Sequence, residues 1–189
     1  LCYGVSKEGV PHLRIENRAL PAGPTVVDQM ANAAFFFGLM SAYIKDCPHF
    51  EKRLRFEDAR LNFFAAARYG LGAQFTWLDG KTYTAPKLIL EELLPKAMEG
   101  LNVAGIDEGD SKRYLDIIAQ RVRSGQTGST WALQSLRSMS RGTIGKQDAL
   151  IPALTASLME QQASGLPVHS WPLASGKSDE SRMREGFRT

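Results

Sequence analysis

The stretch Arg14-Ile15-Glu16-Asn17-Arg18, followed by Leu20-Pro21-Ala22-Gly23-Pro24-Thr25, decides how this chain is interpreted. Charged residues alternate with apolar or neutral ones over 14–18, which is the period of a half-buried strand. Arg14, Glu16 and Arg18 therefore project from one face. Such a row suits a face that meets a metal–phosphate or carboxylate ligand, because Glu binds hard cations and Arg binds planar oxyanions. The alternative is an exposed strand with a salt-bridge ladder, since charge rows are common on protein surfaces.

The composition is that of a globular domain with a sizeable core. The chain has 189 residues, of which 43% are hydrophobic and 23% charged. A net charge of +3 without a basic run interleaved with aromatics argues against a nucleic-acid partner. No apolar span approaches the roughly 20 residues that cross a bilayer, so no membrane partner is predicted. Cys2 and Cys47 form neither a metal spacing nor a disulfide framework, which favours a cytoplasmic location.

Periodicity and turn residues predict a mostly helical α+β fold. Two strands at 2–6 and 12–18 are expected to form a hairpin. Asp79-Gly80 predicts a second hairpin between 74–78 and 81–84. Helices are expected at 25–45, 57–69, 86–100, 110–123, 127–139 and 146–164. Residues 1–174 form one domain in this interpretation, and the polar residues 175–189 form a disordered tail.

Several local features give sharper expectations for the helices. Thr25 and Asp28 resemble a capping box at the start of the first helix. We expect Asp110 to cap the fourth helix, Pro95 to kink the third and Trp131 to anchor the core. A broad buried face on the first helix is predicted from apolar residues at helical spacing: Val26, Met30, Ala33, Ala34, Phe37, Met40 and Ile44. The run Phe35-Phe36-Phe37 is expected to be buried from both sides of that helix, with an oligomer surface as the alternative.

A second cluster of polar residues lies on the helix predicted at 57–69. It consists of Arg60, Asn62 and Arg68. The functional interpretation is that Arg68 reaches a substrate pocket. The alternative is a packing helix whose arginines pair with Glu57 and Asp58 or cover apolar surface.

Three segments, in this order along the chain, are familiar from one enzyme superfamily. Residues 14–18 resemble an Arg-(Ile/Leu)-Glu-x-Arg strand, and the segments 20–25 and 31–35 accompany it. Residues 62–71 resemble an Asn-x-x-x-Ala-x-Arg-x-Gly helix. Together they resemble the glutamine-synthetase-like superfamily, in particular its glutamate–cysteine ligase family 2 and carboxylate–amine ligase branch, clearly over 10–80 and more loosely over 81–173. The resemblance implies the C-terminal portion of a glutamine-synthetase-like catalytic fold, with a few antiparallel strands and about six helices.

The resemblance also implies an activity and site residues. It implies an ATP-dependent ligase that activates glutamate as γ-glutamyl phosphate and joins it to an amine such as cysteine, with ATP and Mg²⁺ as cofactors. Glu16 is similar to a family Mg²⁺ ligand, and Arg14 to a residue near the nucleotide phosphates. Arg18 is similar to a catalytic clamp on the glutamate carboxylate or the acyl phosphate. Arg68 is the further substrate-binding candidate.

The start of the sequence suggests a fragment. Its first residues already have the pattern of a strand, and there is no initiator Met. It also contains no Glu-x-Glu strand of the kind that carries the family's other metal ligands. We therefore expect this piece to be inactive by itself. The rival hypothesis is a non-catalytic helical homologue that binds or regulates a partner. The identity of the amine and the formation of a homo-oligomer are left open by the sequence.

Overall fold

The computed structural model describes residues 2–14, 23–140 and 147–174. Its first element is an antiparallel hairpin of β1 (Cys2–Val5) and β2 (Pro11–Arg14), in which Tyr3 lies opposite Leu13. The turn between them needs Gly9, whose φ of 80° lies in the left-handed region that disfavours other residues. The predicted first hairpin is thus confirmed as far as Arg14. Residues 15–18 of the predicted second strand, and the predicted tail 175–189, lie outside the described residues.

Helices form most of the remaining structure, as predicted. A second hairpin of β3 (Gln74–Thr76) and β4 (Thr82–Thr84) confirms the Asp79-Gly80 turn. The described helices are α1 (Val26–Asp46), α2 (Phe50–Arg53), α3 (Phe56–Tyr69), α4 (Ala85–Leu88), α5 (Leu94–Val103), α6 (Glu108–Ser124), α7 (Gly128–Ser140) and α8 (Gln147–Ser164). The fold is therefore α+β and mostly helical. None of the described helices has the length and apolarity that a membrane span requires.

Two predicted helix details differ in the structure. The N-cap of α6 is Asp107, whose side chain accepts from the backbone N–H of Asp110 at 3.0 Å. The prediction of Asp110 as the cap was wrong. Asp107 and Asp110 both precede the same pattern of apolar residues, so the pattern does not show which of them is the cap. The helix predicted at 86–100 continues without a break through α4, a π-helical turn (Ile89–Leu93) and α5. The irregularity next to Pro95 is this π-helical turn, which ends two residues before the proline.

The backbones of α1 and α5 approach closely because both helices present glycine at their crossing. A Cβ atom built on Gly38 would lie 2.4 Å from the carbonyl oxygen of Ala97. One built on Gly100 would lie 1.8 Å from the carbonyl oxygen of Gly38. Both distances are far below van der Waals contact, so any side chain at these positions would push the two helices apart. Ala31 and Ala42 extend the same buried face of α1.

The large apolar side chains predicted to form the buried face of α1 are exposed, whereas the predicted Ala34 does pack against the core. Val26, Phe37 and Ile44 are 73%, 62% and 70% exposed. The fully buried residues of α1 are small ones and Asp28, and the partly buried Val27, Phe35 and Leu39 pack beside them. The physical reason is that small residues allow α5 to pack closely against α1. The spacing of apolar residues in the sequence does not show whether this close packing stabilises the fold more than burying the larger side chains would. The expected burial of the phenylalanine run is consequently wrong for Phe37.

Asp28 connects the N-terminus of α1 to the rest of the fold. Its carboxylate is fully buried and accepts from the Thr25 hydroxyl at 2.8 Å and from the Val168 backbone N–H at 3.0 Å. Arg121 of α6 donates to it at 2.7 Å and to the Asn32 side-chain oxygen at the same distance. The predicted cap of α1 by Thr25 is confirmed, since its hydroxyl also accepts from the Asp28 N–H.

The C-terminal part of the described chain packs around two tryptophans. Trp131 is fully buried, and its ring meets that of Trp171 edge to face, with 5.1 Å between the ring centroids. Each indole N–H is satisfied by a backbone carbonyl, that of Pro172 for Trp131 and that of Leu166 for Trp171. The prediction of Trp131 as a core anchor is confirmed.

We expect Asp28→Asn to destabilise the fold by about 3–5 kcal/mol, because it removes one partner of a buried ion pair. Either orientation of the new amide also places its NH₂ against a donor, Arg121 or the Val168 N–H. Urea unfolding measures the change. The control is Lys112→Ala, which removes an exposed α6 ion pair with Glu108 and should cost less than about 0.5 kcal/mol. A loss below about 1 kcal/mol for Asp28→Asn would contradict the central role of this carboxylate.

Candidate functional site

The first candidate segment follows directly from β2. Arg14 is the last residue of β2 and pairs with Cys2 across the hairpin; of Arg14 only the backbone is described. Glu16 and Arg18 lie outside the described residues. In the sequence they belong to the short connection between β2 and the cap of α1 at Thr25.

The far end of this connection is held by several elements. The carbonyl oxygen of Pro24 accepts from the Gln162 side chain of α8 at 2.8 Å, and that of Gly23 accepts from the Gln29 side chain at 3.2 Å. A Cβ atom built on Gly128, at the start of α7, would lie 2.8 Å from Pro24 Cγ. The chain therefore enters α1 through a fixed point where α1, α7 and α8 meet.

Arg68 lies at the edge of an open groove between α3 and the second hairpin. The groove has a volume of about 360 Å³ and is lined by Leu61, Asn62, Phe64, Ala65, Arg68, Tyr69, Gln74, Thr76 and Thr82. The Arg68 guanidinium lies 5.5 Å from the centroid of the Tyr69 ring. Within the described residues it makes no ion pair, so it is available to a carboxylate.

The other two members of the α3 cluster are structural. The Asn62 side chain donates to the Thr76 carbonyl oxygen at 2.7 Å and accepts from the Thr76 N–H at 3.0 Å, which fastens β3 to α3. Arg60 forms an ion pair with Glu57 on the surface of the helix. For Arg60, therefore, the alternative interpretation is confirmed, in which the arginines of this helix pair with neighbouring carboxylates. Asp58 pairs with Arg55 at 2.7 Å, at the helix start.

A second, polar cleft of about 470 Å³ was not predicted from the sequence. It is lined by Tyr43, Asp46, Cys47, Arg53, Leu78, Glu92 and Lys96. Glu92 accepts from the indole N–H of Trp77 at 2.6 Å and from the Tyr43 hydroxyl at 3.3 Å. Burial, and next the charge of Glu92, raises the pKa of Tyr43 to about 12, so its phenol stays protonated.

Most charged side chains in this polar cleft already form ion pairs or hydrogen bonds with neighbouring residues. Lys96 donates to Asp46 and Glu99, and these hydrogen bonds, that with Asp46 first, raise the pKa of the Lys96 ammonium. Arg53 approaches the Cys47 sulfur at 4.0 Å. The cleft is therefore an ion-pair network that joins α1 to α5. Sequence reasoning missed it because its members are up to about 50 residues apart.

The described histidines do not form a metal centre. His49 lies 3.4 Å from the carboxylate of Glu51 at an exposed site. His169 has a buried Nδ1 atom without a hydrogen-bond partner among the described residues, and burial lowers its pKa. No group of three or more acidic, histidine or cysteine side chains capable of holding a metal occurs in the part of the chain that the structure describes. Glu16, the predicted metal ligand, lies outside that part.

Comparison with known families accounts for the motif segments. The family model described as glutamate-cysteine ligase family 2 matches residues 6–149. The match includes the strand motif at 14–18, the start of α1 and the whole of α3. No curated protein and no solved structure matches the chain. The resemblance found in the sequence is thus confirmed over most of its length, and the chain belongs to glutamate–cysteine ligase family 2.

Proposed function

We propose that this protein is an ATP-dependent carboxylate–amine ligase of the glutamate–cysteine type. The observation that carries the proposal is the row of Arg14, Glu16 and Arg18 inside the family match at 6–149. In the sequence a carboxylate stands between two cations at alternate positions, which is the pattern expected of one strand face. Glutamate and an amine such as cysteine are the proposed substrates, in a cytoplasmic enzyme of glutathione biosynthesis.

The chemistry of these side chains fits Mg²⁺ and ATP. Mg²⁺ is commonly held by one or two carboxylates together with substrate phosphates, so Glu16 can serve as one protein ligand. Bound Mg²⁺·ATP supplies a transferable γ-phosphoryl group whose charge is partly neutralised by the metal. Arg14 would hold the nucleotide phosphates. Arg18 would hold the glutamate γ-carboxylate, and afterwards the acyl phosphate, by bidentate hydrogen bonds.

The proposed reaction has two balanced steps. An oxygen of the glutamate γ-carboxylate attacks the γ-phosphorus, the bond to the β-phosphate oxygen breaks, and ADP leaves. The amine lone pair then attacks the acyl carbon, the acyl C–O bond breaks, and phosphate leaves as the amine loses a proton. Arg18 stabilises the negative charge in both steps, which is the contribution expected of a preorganised cation.

Arg68 has a different proposed role because it lies on another element. It is exposed at the edge of the groove formed by α3 and the second hairpin, next to the polar side chains of Gln74, Thr76 and Thr82. We assign it to a substrate carboxylate away from the reacting atoms. A residue that binds the substrate and the transition state equally well affects KM more than kcat.

A non-catalytic homologue that binds a partner is the second candidate function. The exposed apolar side chains of α1 favour it. The two candidates differ in whether the full-length protein turns over ATP. As part of the ligase proposal, we expect the 189-residue chain alone to be inactive, since its sequence has no Glu-x-Glu strand to supply further metal ligands.

In the full-length protein, Glu16→Gln should lower Mg²⁺·ATP-dependent phosphate release with glutamate and cysteine by about 100-fold or more, because a metal ligand is lost. The matched control is Glu8→Gln, in the exposed turn of the first hairpin, which should leave the rate unchanged. Undiminished turnover in Glu16→Gln would refute the metal role. Absence of turnover in the unsubstituted full-length protein would favour the non-catalytic candidate.

Arg68→Ala should raise the KM for glutamate about 10- to 100-fold with a smaller change in kcat, which is the loss expected for one charged hydrogen bond. Arg60→Ala is the control on the same helix, because Arg60 is paired with Glu57 at the surface. Its KM should match that of the unsubstituted enzyme. Equal KM values for all three proteins would show that Arg68 only packs over Tyr69.

A further inference from the structure

The polar cleft at the C-terminal end of α1 contains two charges that the described residues leave without a counter-charge. Lys96 and Asp46 line the cleft and neutralise each other in an ion pair. Arg53 of α2 and Glu92 of the π-helical turn line it too, and neither forms an ion pair within the ranges 2–14, 23–140 and 147–174. With a volume of about 470 Å³, the cleft has room for a small molecule that carries both charges.

The Glu92 carboxylate is held in place by uncharged donors. Its Oε1 atom accepts from the indole N–H of Trp77 at 2.6 Å and from the Tyr43 hydroxyl at 3.3 Å. The rings of Tyr43 and Trp77 both meet the ring of Phe50 edge to face, with centroid distances of 5.6 and 6.4 Å. These contacts orient the carboxylate without neutralising it. Its Oε2 atom accepts no hydrogen bond from the described part of the chain, and is therefore available to an ammonium group.

The Arg53 guanidinium supplies the opposite charge. One of its N–H groups, on Nη1, is directed at the sulfur of Cys47 at 4.0 Å. A guanidinium has five N–H donors, so those that remain can bind a carboxylate by two parallel hydrogen bonds. Leu78 adds an apolar surface to the same cleft.

We propose that the polar cleft binds a free α-amino acid as its zwitterion, with the ammonium group on Glu92 and the α-carboxylate on Arg53. An α-amino acid carries these two opposite charges on neighbouring carbon atoms, and it leaves the ion pair of Lys96 and Asp46 undisturbed. Its side chain would lie against Leu78, which favours an aliphatic one. A ligand with only one of the two charges would leave either Glu92 or Arg53 unpaired and would bind more weakly.

This inference goes beyond the proposed ligase function, because the cleft lies at the far end of α1 from the connection that enters it. Gly23 and Pro24 precede the N-terminus of α1, whereas Asp46 is its last residue. The helix has 21 residues, so its two ends are about 30 Å apart at 1.5 Å per residue. We therefore assign the cleft to an amino acid that binds in addition to the substrates of the proposed reaction.

An NMR titration that follows the three indole N–H signals of the isotopically labelled 189-residue chain tests the site. Glycine and L-leucine should each shift the Trp77 signal in a saturable manner, because this indole donates directly to Glu92. L-Leucine should act at the lower concentration, since its side chain contacts Leu78. The signals of Trp131 and Trp171, which donate to backbone carbonyls in the C-terminal core, should not move. Trp77→Phe identifies the Trp77 signal by its loss.

Two substitutions each remove one charge and keep a group that can form hydrogen bonds. Glu92→Gln and Arg53→Gln should each weaken the binding of L-leucine by about tenfold or more, as expected for the loss of a charged hydrogen bond. The matched controls are Glu91→Gln, which removes an exposed ion pair with Lys87, and Lys52→Gln, which is exposed on α2. Both controls should bind L-leucine as the unsubstituted chain does. Circular dichroism verifies that all four variants remain folded.

Analogues that lack one charge test the zwitterion directly. Glycinamide and L-leucinamide keep only the ammonium group, and N-acetylglycine and N-acetyl-L-leucine keep only the carboxylate, so all four should bind about tenfold more weakly or worse. Amides that bind as tightly as the amino acids would contradict the role of Arg53, and N-acetyl derivatives that do so would contradict that of Glu92. The absence of a saturable shift with both glycine and L-leucine would overturn the site itself. The titration involves no ATP, so its failure would leave the ligase proposal standing.

Discussion

The buried carboxylate of Asp28 is the constraint on which the rest of the structure depends. A charge without access to water is tolerated only when it is paired and hydrogen-bonded. Asp28 satisfies this requirement with three donors from three parts of the chain: the Thr25 hydroxyl, Arg121 of α6 and the Val168 N–H. Its place in the first turn of α1 adds the favourable field of the helix N-terminus. One side chain therefore ties α1 to both α6 and the C-terminal segment. The glycine contact between Gly38 and Gly100 then sets the position of α5.

This arrangement bears directly on the proposed chemistry. Phosphoryl and acyl transfer depend on positioning, because small displacements of the groups that hold the substrates are costly. The connection that carries Glu16 and Arg18 enters α1 three residues before Asp28, where Gly23 and Pro24 are held by side chains of α1 and α8. In the sequence, Glu16 and Arg18 therefore stand a few residues before a segment that hydrogen bonds hold to α1 and α8. Arg68 belongs to a separate groove, which suits a role in substrate binding.

Much of this fold could be predicted from the sequence, because caps and turns are local. Thr25 begins α1 and Asp79-Gly80 makes the second hairpin, both as expected. The buried face of α1 could not be predicted, since it depends on how closely α5 approaches. Hydrogen bonds between residues that are distant in sequence, such as that between Asn62 and Thr76, could not be predicted either. For the candidate site, the family was recognisable from three motifs and is confirmed by the match at 6–149. The roles of Arg14, Glu16, Arg18 and Arg68 stay predictions.

The most direct test of the proposed ligase chemistry replaces cysteine by hydroxylamine in an assay of the full-length protein with glutamate, Mg²⁺ and ATP. Hydroxylamine attacks activated carboxylates and converts γ-glutamyl phosphate into γ-glutamyl hydroxamate. Our account predicts hydroxamate, ADP and phosphate in equal amounts, and no product when Mg²⁺ or ATP is omitted. Formation of AMP and pyrophosphate would contradict the acyl-phosphate route, and ATP hydrolysis without hydroxamate would contradict carboxylate activation altogether.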